Sequence, residues 1–178
     1  EYSKPGRHHI YENIVINGGL SYNGYAGCIG SGRGTTGALF YKNTLYCPSA
    51  LSWSAMFLQA GDKADEATSG NEFRDNLCLV NSSVAAIHDS SRAAPGTNVF
   101  RNNLIYVIGG GTPLFRYHGG SNVVFPERFQ APYAKYGLQA FSAARGAGVT
   151  GTVTGNPMLT DPAGEDFTLL LGSTAIGA

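Results

Sequence analysis

Two of the four histidines in the chain fall where they could act together with an arginine. His88 lies in the stretch AIHDSSR, and His118 in LFRYHG, which also carries Arg116 and Tyr117. Arg116 follows His88 by 28 residues and His118 follows it by 30, which matters because the chain itself repeats with about that period. On successive turns of such a repeat, His88 is expected beside Arg116, and Ser90 beside His118, on one exposed strand face. A neutral imidazole can accept a proton near neutral pH, and a guanidinium beside it can stabilise the negative charge left on carbon next to a carboxylate. His88, Arg116 and His118 are therefore the candidate catalytic residues. Ser90, Arg92 and Tyr117 are the candidate substrate contacts, Arg92 at the edge of the face.

Other residues of chemical interest read more simply. Asp62, Asp65 and Glu66 cluster in GDKADEA, a loop whose hard oxygens would suit Ca2+. Lys63 sits inside that loop and the spacing is not that of an EF-hand, so a solvated loop is the simpler expectation, and no cofactor other than Ca2+ is suggested. The glycine-rich GSGRGTTG lacks the Lys-Ser/Thr of a phosphate-binding loop. His8 and His9 have no evident further metal ligands. Three cysteines, Cys28, Cys47 and Cys78, cannot all pair within one chain and show no metal-ligand spacing, so they are expected as small buried apolar residues. Asn81-Ser82-Ser83 fits a glycosylation sequon, a short pattern that often arises by chance.

The elements that would position these residues come from an internal repeat. HHIYENIVIN, ALFYKNTLYC, NEFRDNLCLV and NVFRNNLIYV align on Asn13, Asn43, Asn76 and Asn103. Three residues before each stands Ile10, Phe40, Phe73 or Phe100, and two after each stands Val15, Leu45, Cys78 or Ile105. NVVFPERFQ reads as a weaker fifth copy, with Phe125 retained and Arg128 in the asparagine position. The separations of 30, 33 and 27 residues are unequal. That argues against packed helix pairs and suits a coil of short strands whose outer turns vary in length. A further apolar run in each period, around Ile29, Phe57, Ile87 and Phe115, gives a third strand expected to point those residues inward.

These features predict an all-β, right-handed parallel β-helix of about four to five rungs. Residues 1–130 would form the rungs, and 131–178 a short helix, within Pro132 to Gly146, and a C-terminal cap. Like residues stack at the interstrand spacing of about 4.8 Å. The four asparagines are expected to form a hydrogen-bonded ladder and to supply the left-handed conformation of the bend. Composition agrees: 25 Gly and 12 Asn mark turns, while 43% hydrophobic residues exclude a disordered tail. Twelve basic residues balance twelve acidic ones, which gives no electrostatic footprint for nucleic acid or anionic lipid, and no apolar run is long enough to enter a membrane as a span.

The segment from Gly155 to Ala178 carries Asn156-Pro157, Asp161-Pro162, Asp166-Phe167, Leu169, Gly172-Ser173 and Ala175-Ile176. It resembles a terminal pattern of bacterial right-handed parallel β-helix proteins of the pectate-lyase-like superfamily, with Thr174 where a proline is usual. YGLQAFSAARGAG, from Tyr136, resembles the short helix before that pattern. The resemblance implies a secreted or cell-surface protein acting on or binding polysaccharide, with Asp161 and Asp166 as turn and cap residues. If it is an enzyme, a polysaccharide lyase or glycosidase-like activity is implied, with Tyr117 flanking a sugar. The other class left open is a structural or adhesive β-helix, such as a phage tailspike, surface fibre or extracellular assembly subunit. The first rung has no evident capping helix, so further rungs before Glu1, or a homo-oligomer, are expected to cover that end.

Overall fold

The computed structural model describes residues 8–18, 27–32, 34–59, 67–91, 93–94, 96–117, 134–173 and 175. The repeat folds into four three-stranded rungs. The first is β1 (His9–Tyr11), β2 (Ile14–Ile16) and β3 (Gly27–Gly32). The second is β4 (Leu39–Tyr41), β5 (Thr44–Cys47) and β6 (Ser54–Gln59), and the third β7 (Glu72–Arg74), β8 (Leu77–Val80) and β9 (Ala85–Ser90). The fourth is β10 (Val99–Arg101), β11 (Leu104–Val107) and β12 (Leu114–Tyr117). Each strand pairs in parallel with its counterpart one rung on, so three sheets run the length of a β-solenoid.

Alternation along strands this short leaves only one or two side chains per strand to face the core, and the repeat supplies them in columns. Ile10, Phe40, Phe73 and Phe100 stand in register on the first sheet, and Val15, Leu45, Cys78 and Ile105 on the second. The rings of Phe40 and Phe73 stack at 4.4 Å and those of Phe73 and Phe100 at 5.3 Å. On the third sheet the column is Ile29, Met56, Ile87 and Phe115, not Phe57 as the pattern suggested. The run MFLQ is two-sided, and Met56 with Leu58 wins the inward positions while Phe57 turns outward.

The ladder forms at the first bend of every rung. Asn43, for example, gives its main-chain N–H and its carboxamide to Asn76 Oδ1 at 3.1 and 3.0 Å. The left-handed residue is the one before each ladder asparagine: Glu12, Lys42, Asp75 and Asn102, with φ between 53° and 55°. The ladder asparagines themselves are not left-handed, and the main-chain N–H and the carboxamide of Asn13, Asn43 and Asn76 both reach the asparagine of the next rung. A second, shorter ladder links Asn71 to Asn98 at the corner just before the first strand of each rung, with Ala38 N–H feeding into Asn71 Oδ1 at 2.9 Å.

Beyond β12, β13 (Ala134–Tyr136) adds antiparallel to it, and α1 (Leu138–Arg145) closes the end of the coil. Phe141 and Arg145, one helical turn apart, are its buried residues. Phe141 stacks on Phe115 at 5.2 Å and meets Phe100 edge-on at 6.1 Å, ending the phenylalanine column. A partial rung follows, β14 (Val149–Thr150) and β15 (Val153–Thr154), with Val149 on Phe100 and Thr152 in the ladder position. The fifth copy expected at Phe125 and Arg128 lies outside the described residues.

The C-terminal segment is a hairpin of β16 (Leu159–Asp161) and β17 (Asp166–Leu169). Phe167 meets Tyr46 edge-on at 5.5 Å, which lays the hairpin along the apolar outer side of the second sheet. Asp161 accepts from Gly164 N–H at 3.0 Å and Asp166 from Thr168 N–H at 3.0 Å, so both are turn residues as the resemblance implied. Hydrogen bonding from the Thr168 side chain, and secondly from its main-chain N–H, holds the Asp166 carboxyl below its usual range. Cys28 and Cys47 are joined as a disulfide, whereas Cys78 is the buried free thiol among the described residues.

Candidate functional site

The third sheet carries the candidate site on its outer side. Gly30, Phe57, His88 and Arg116 stand in one outward column across four rungs. Gly30 is needed there because a Cβ would run into the Phe57 carbonyl oxygen. His88 and Arg116 are therefore brought side by side, in the register that repeat spacing predicted. The partner that spacing could not supply is Trp53, at the entry to β6. Its indole N–H donates to His88 Nδ1 at 2.5 Å, and the two rings lie at 5.7 Å and 30°. Phe57 meets the imidazole edge-on at 5.2 Å, and the Arg116 guanidinium lies 4.7 Å from the centre of the Trp53 ring.

The expectation of an exposed histidine is corrected by this packing. Only 1% of the His88 surface is exposed, since an indole and a phenyl ring pack against an imidazole that strand alternation points outward. The chemistry changes with it. Indole N–H is a donor only, so Nδ1 must be the acceptor nitrogen, and a neutral ring then carries its proton on Nε2. The nitrogen with a free lone pair in that tautomer is the one already occupied by Trp53. In this arrangement His88 fixes the indole, and the guanidinium and indole planes form the half-buried surface of the cluster.

The remaining sequence-derived residues divide. Ser90 is buried and its hydroxyl donates to Leu58 O at 3.0 Å, so it serves the neighbouring rung. Tyr117 faces inward against the core rather than flanking an outer groove, with the Arg145 guanidinium 5.1 Å from its ring centre. His118, Arg92 and the acids Asp62, Asp65 and Glu66 lie outside the described residues. Among those described, no three of His, Cys, Asp and Glu converge as metal ligands.

Sequence reasoning missed Trp53 and the pair Asp89–Arg145. Trp53 is the single tryptophan of the chain, and that rarity was the only available signal. Asp89 follows His88 and therefore turns inward, where its carboxylate meets Arg145 at 3.0 Å. The i, i+4 placement of Phe141 and Arg145 was the legible half of that contact. A groove of about 260 Å3 beside the C-terminal hairpin is lined by Asn43, Asn76, Phe167 and Leu169, but its ladder amides are already committed to one another.

Compared with protein-family models, with curated proteins and with solved structures, the chain matches none. The class that the structure defines is a β-solenoid of parallel strands closed at one end by a short helix.

Proposed function

We propose that this β-solenoid is an extracellular or cell-surface carbohydrate-binding protein of the pectate-lyase-like kind, holding polysaccharide on the outer side of its third sheet. The observation that carries the reading is the Arg116 guanidinium lying over the Trp53 indole, itself fixed by His88. A flat aromatic face suits the apolar side of a sugar ring, and a guanidinium suits the carboxylate of a uronate. The C-terminal resemblance supports the same class. Binding is favoured over cleavage because His88 Nδ1 is already taken by Trp53, which leaves the imidazole without its base nitrogen.

Trp53 is the only tryptophan, so its emission reports directly on the site. Titration with polygalacturonate, alginate, chondroitin sulfate and a neutral β-glucan is expected to give a saturable change with at least one uronate polymer. Arg116→Ala should weaken it at least tenfold. Repeating the titration with Ca2+ and with a chelator tests the acidic loop around Asp62. Release of unsaturated product, read by absorbance, would restore the lyase reading. Absence of binding to every polymer would overturn the proposal in favour of a structural or adhesive solenoid.

A further inference from the structure

The ladder that joins the rungs has a direction. Asn13 gives its main-chain and carboxamide N–H to Asn43 Oδ1 at 3.1 and 3.0 Å, and Asn76 does the same to Asn103 at 3.1 and 2.9 Å. At the far end Thr152 accepts from Asn103 Nδ2 at 3.5 Å and turns its own hydroxyl back to Phe100 O at 3.3 Å. A threonine has one side-chain donor, so the side-chain half of the ladder terminates there and only the main-chain N–H of Thr152 is left to pass on.

The near end is different. Asn13 Oδ1 occupies the place where Asn43, Asn76 and Asn103 each receive the rung before, and it accepts from no described residue. Tyr11 stacks on Tyr41 at 4.9 Å and is still 48% exposed. Ile14 is 59% exposed, whereas Leu104 in the same outer column is 5% exposed. A cavity of about 520 Å3 lies among Ile10, Ile29 and Phe40 of the first two rungs. The first rung thus offers the surface that each later rung offers to its predecessor, with the backbone pairing of β1 and β2 unfilled on that side among the described residues.

We propose that this edge docks one further rung, namely two short extended stretches flanking an asparagine bend, with the pattern of Glu72–Val80. The occupant is specified by chemistry: its asparagine must deliver a main-chain and a carboxamide N–H to Asn13 Oδ1, and its large apolar residue must cover Ile10. The far end of a second copy meets only half of this requirement, because Thr152 has a main-chain N–H but no carboxamide and its hydroxyl is committed to Phe100 O. Two near ends face to face would set acceptor against acceptor. The proposal is independent of the carbohydrate reading.

A dye-labelled peptide copying Glu72–Val80 (EFRDNLCLV), titrated with the intact chain by fluorescence anisotropy, is expected to bind saturably at one to one. The same peptide with Asn76→Val should bind at least tenfold more weakly. Tyr11→Glu and Ile14→Glu, two separate exposed-edge variants checked for fold by circular dichroism, should each reduce binding to a similar extent. No binding, or equal binding of the two peptides, would overturn the proposal. So would a concentration-dependent dimer that excludes the peptide, since it would assign the edge to a second copy.

Discussion

Arg145 of the closing helix reaches Asp89 of the third rung at 3.0 Å, with neither side chain exposed to solvent. The guanidinium also donates to Asn98 O at 3.5 Å and lies over Tyr117, so one side chain ties the cap to three places on the coil. A buried pair of this kind gains little over an apolar filling, but removing one partner leaves a charge without compensation. Arg145→Ala is expected to lower unfolding stability by about 3–5 kcal/mol. Replacing both residues by leucine should recover a large part of that loss. Urea denaturation followed by circular dichroism separates the two outcomes, and an equal loss in both variants would show that charge pairing is not what Arg145 contributes.

The asparagine ladder makes a graded prediction along the axis. Asn76 accepts two bonds from Asn43 and donates to Phe40 O and Asn103 Oδ1, all within 3.1 Å and nearly out of water. Asn76→Ala orphans several of these groups and should cost about 2–4 kcal/mol, at about 1–3 kcal/mol per unsatisfied buried group with partial relaxation. Asn13 lies at the exposed end, where water can replace the carboxamide. Asn13→Ala should cost under about 1 kcal/mol. Denaturant midpoints measured for both variants test the order, and a comparable loss at the two positions would contradict it.

The ladder and the phenylalanine column were legible because each rung repeats the same demand at the same place, so identical residues recur at the repeat period. Phe57 was misread because a run of four apolar or amide residues satisfies either face, and only the register with Ile29 and Ile87 decides between them. The left-handed residues were misplaced by one because Glu12, Lys42, Asp75 and Asn102 share no side-chain type. The constraint there is on the backbone. At the candidate site, the pairing of His88 with Arg116 followed from spacing alone. Burial of His88 did not, because Trp53 enters from a corner outside the aligned segments.

The column of left-handed residues predicts opposite signs for similar substitutions. Lys42 is held at φ 55°, a conformation that costs an L-residue roughly 1–2 kcal/mol, and glycine avoids that cost at an entropic penalty of about 0.5–1 kcal/mol. Lys42→Gly is therefore expected to raise stability slightly, by about 0.5 kcal/mol, and Lys42→Val to lower it by about 1–2 kcal/mol. In the partial rung the same place is filled by Gly151, at φ 60°, where an added methyl would collide with Asn102 Oδ1. Gly151→Ala should therefore be the most damaging of the three. Shifts in thermal midpoint check the order, and stabilisation by alanine at Gly151 would refute the account.

Cys78 turns the burial of the second-sheet column into a pH effect. It stands between Leu45 and Ile105, fully enclosed, and burial pushes its thiol far above the ordinary range by penalising the thiolate. In the unfolded chain the same thiol ionises near pH 8.5. Below that pH both states hold the neutral thiol and its contribution is fully present. Above it the unfolded chain gains from losing a proton that the folded core retains, so stability falls as pH rises, by up to about 1.4 kcal/mol per pH unit. Tyrosines and lysines titrate in the same window, so the informative quantity is the difference between the protein and Cys78→Ala across pH 8 to about 10.5. The alanine variant is expected to start less stable, from the cavity, and to lose less on going alkaline. Thiol reagents should leave Cys78 unlabelled until denaturant is added. Rapid labelling of the native protein, or parallel pH profiles for the two chains, would show that the thiol is not held in the core.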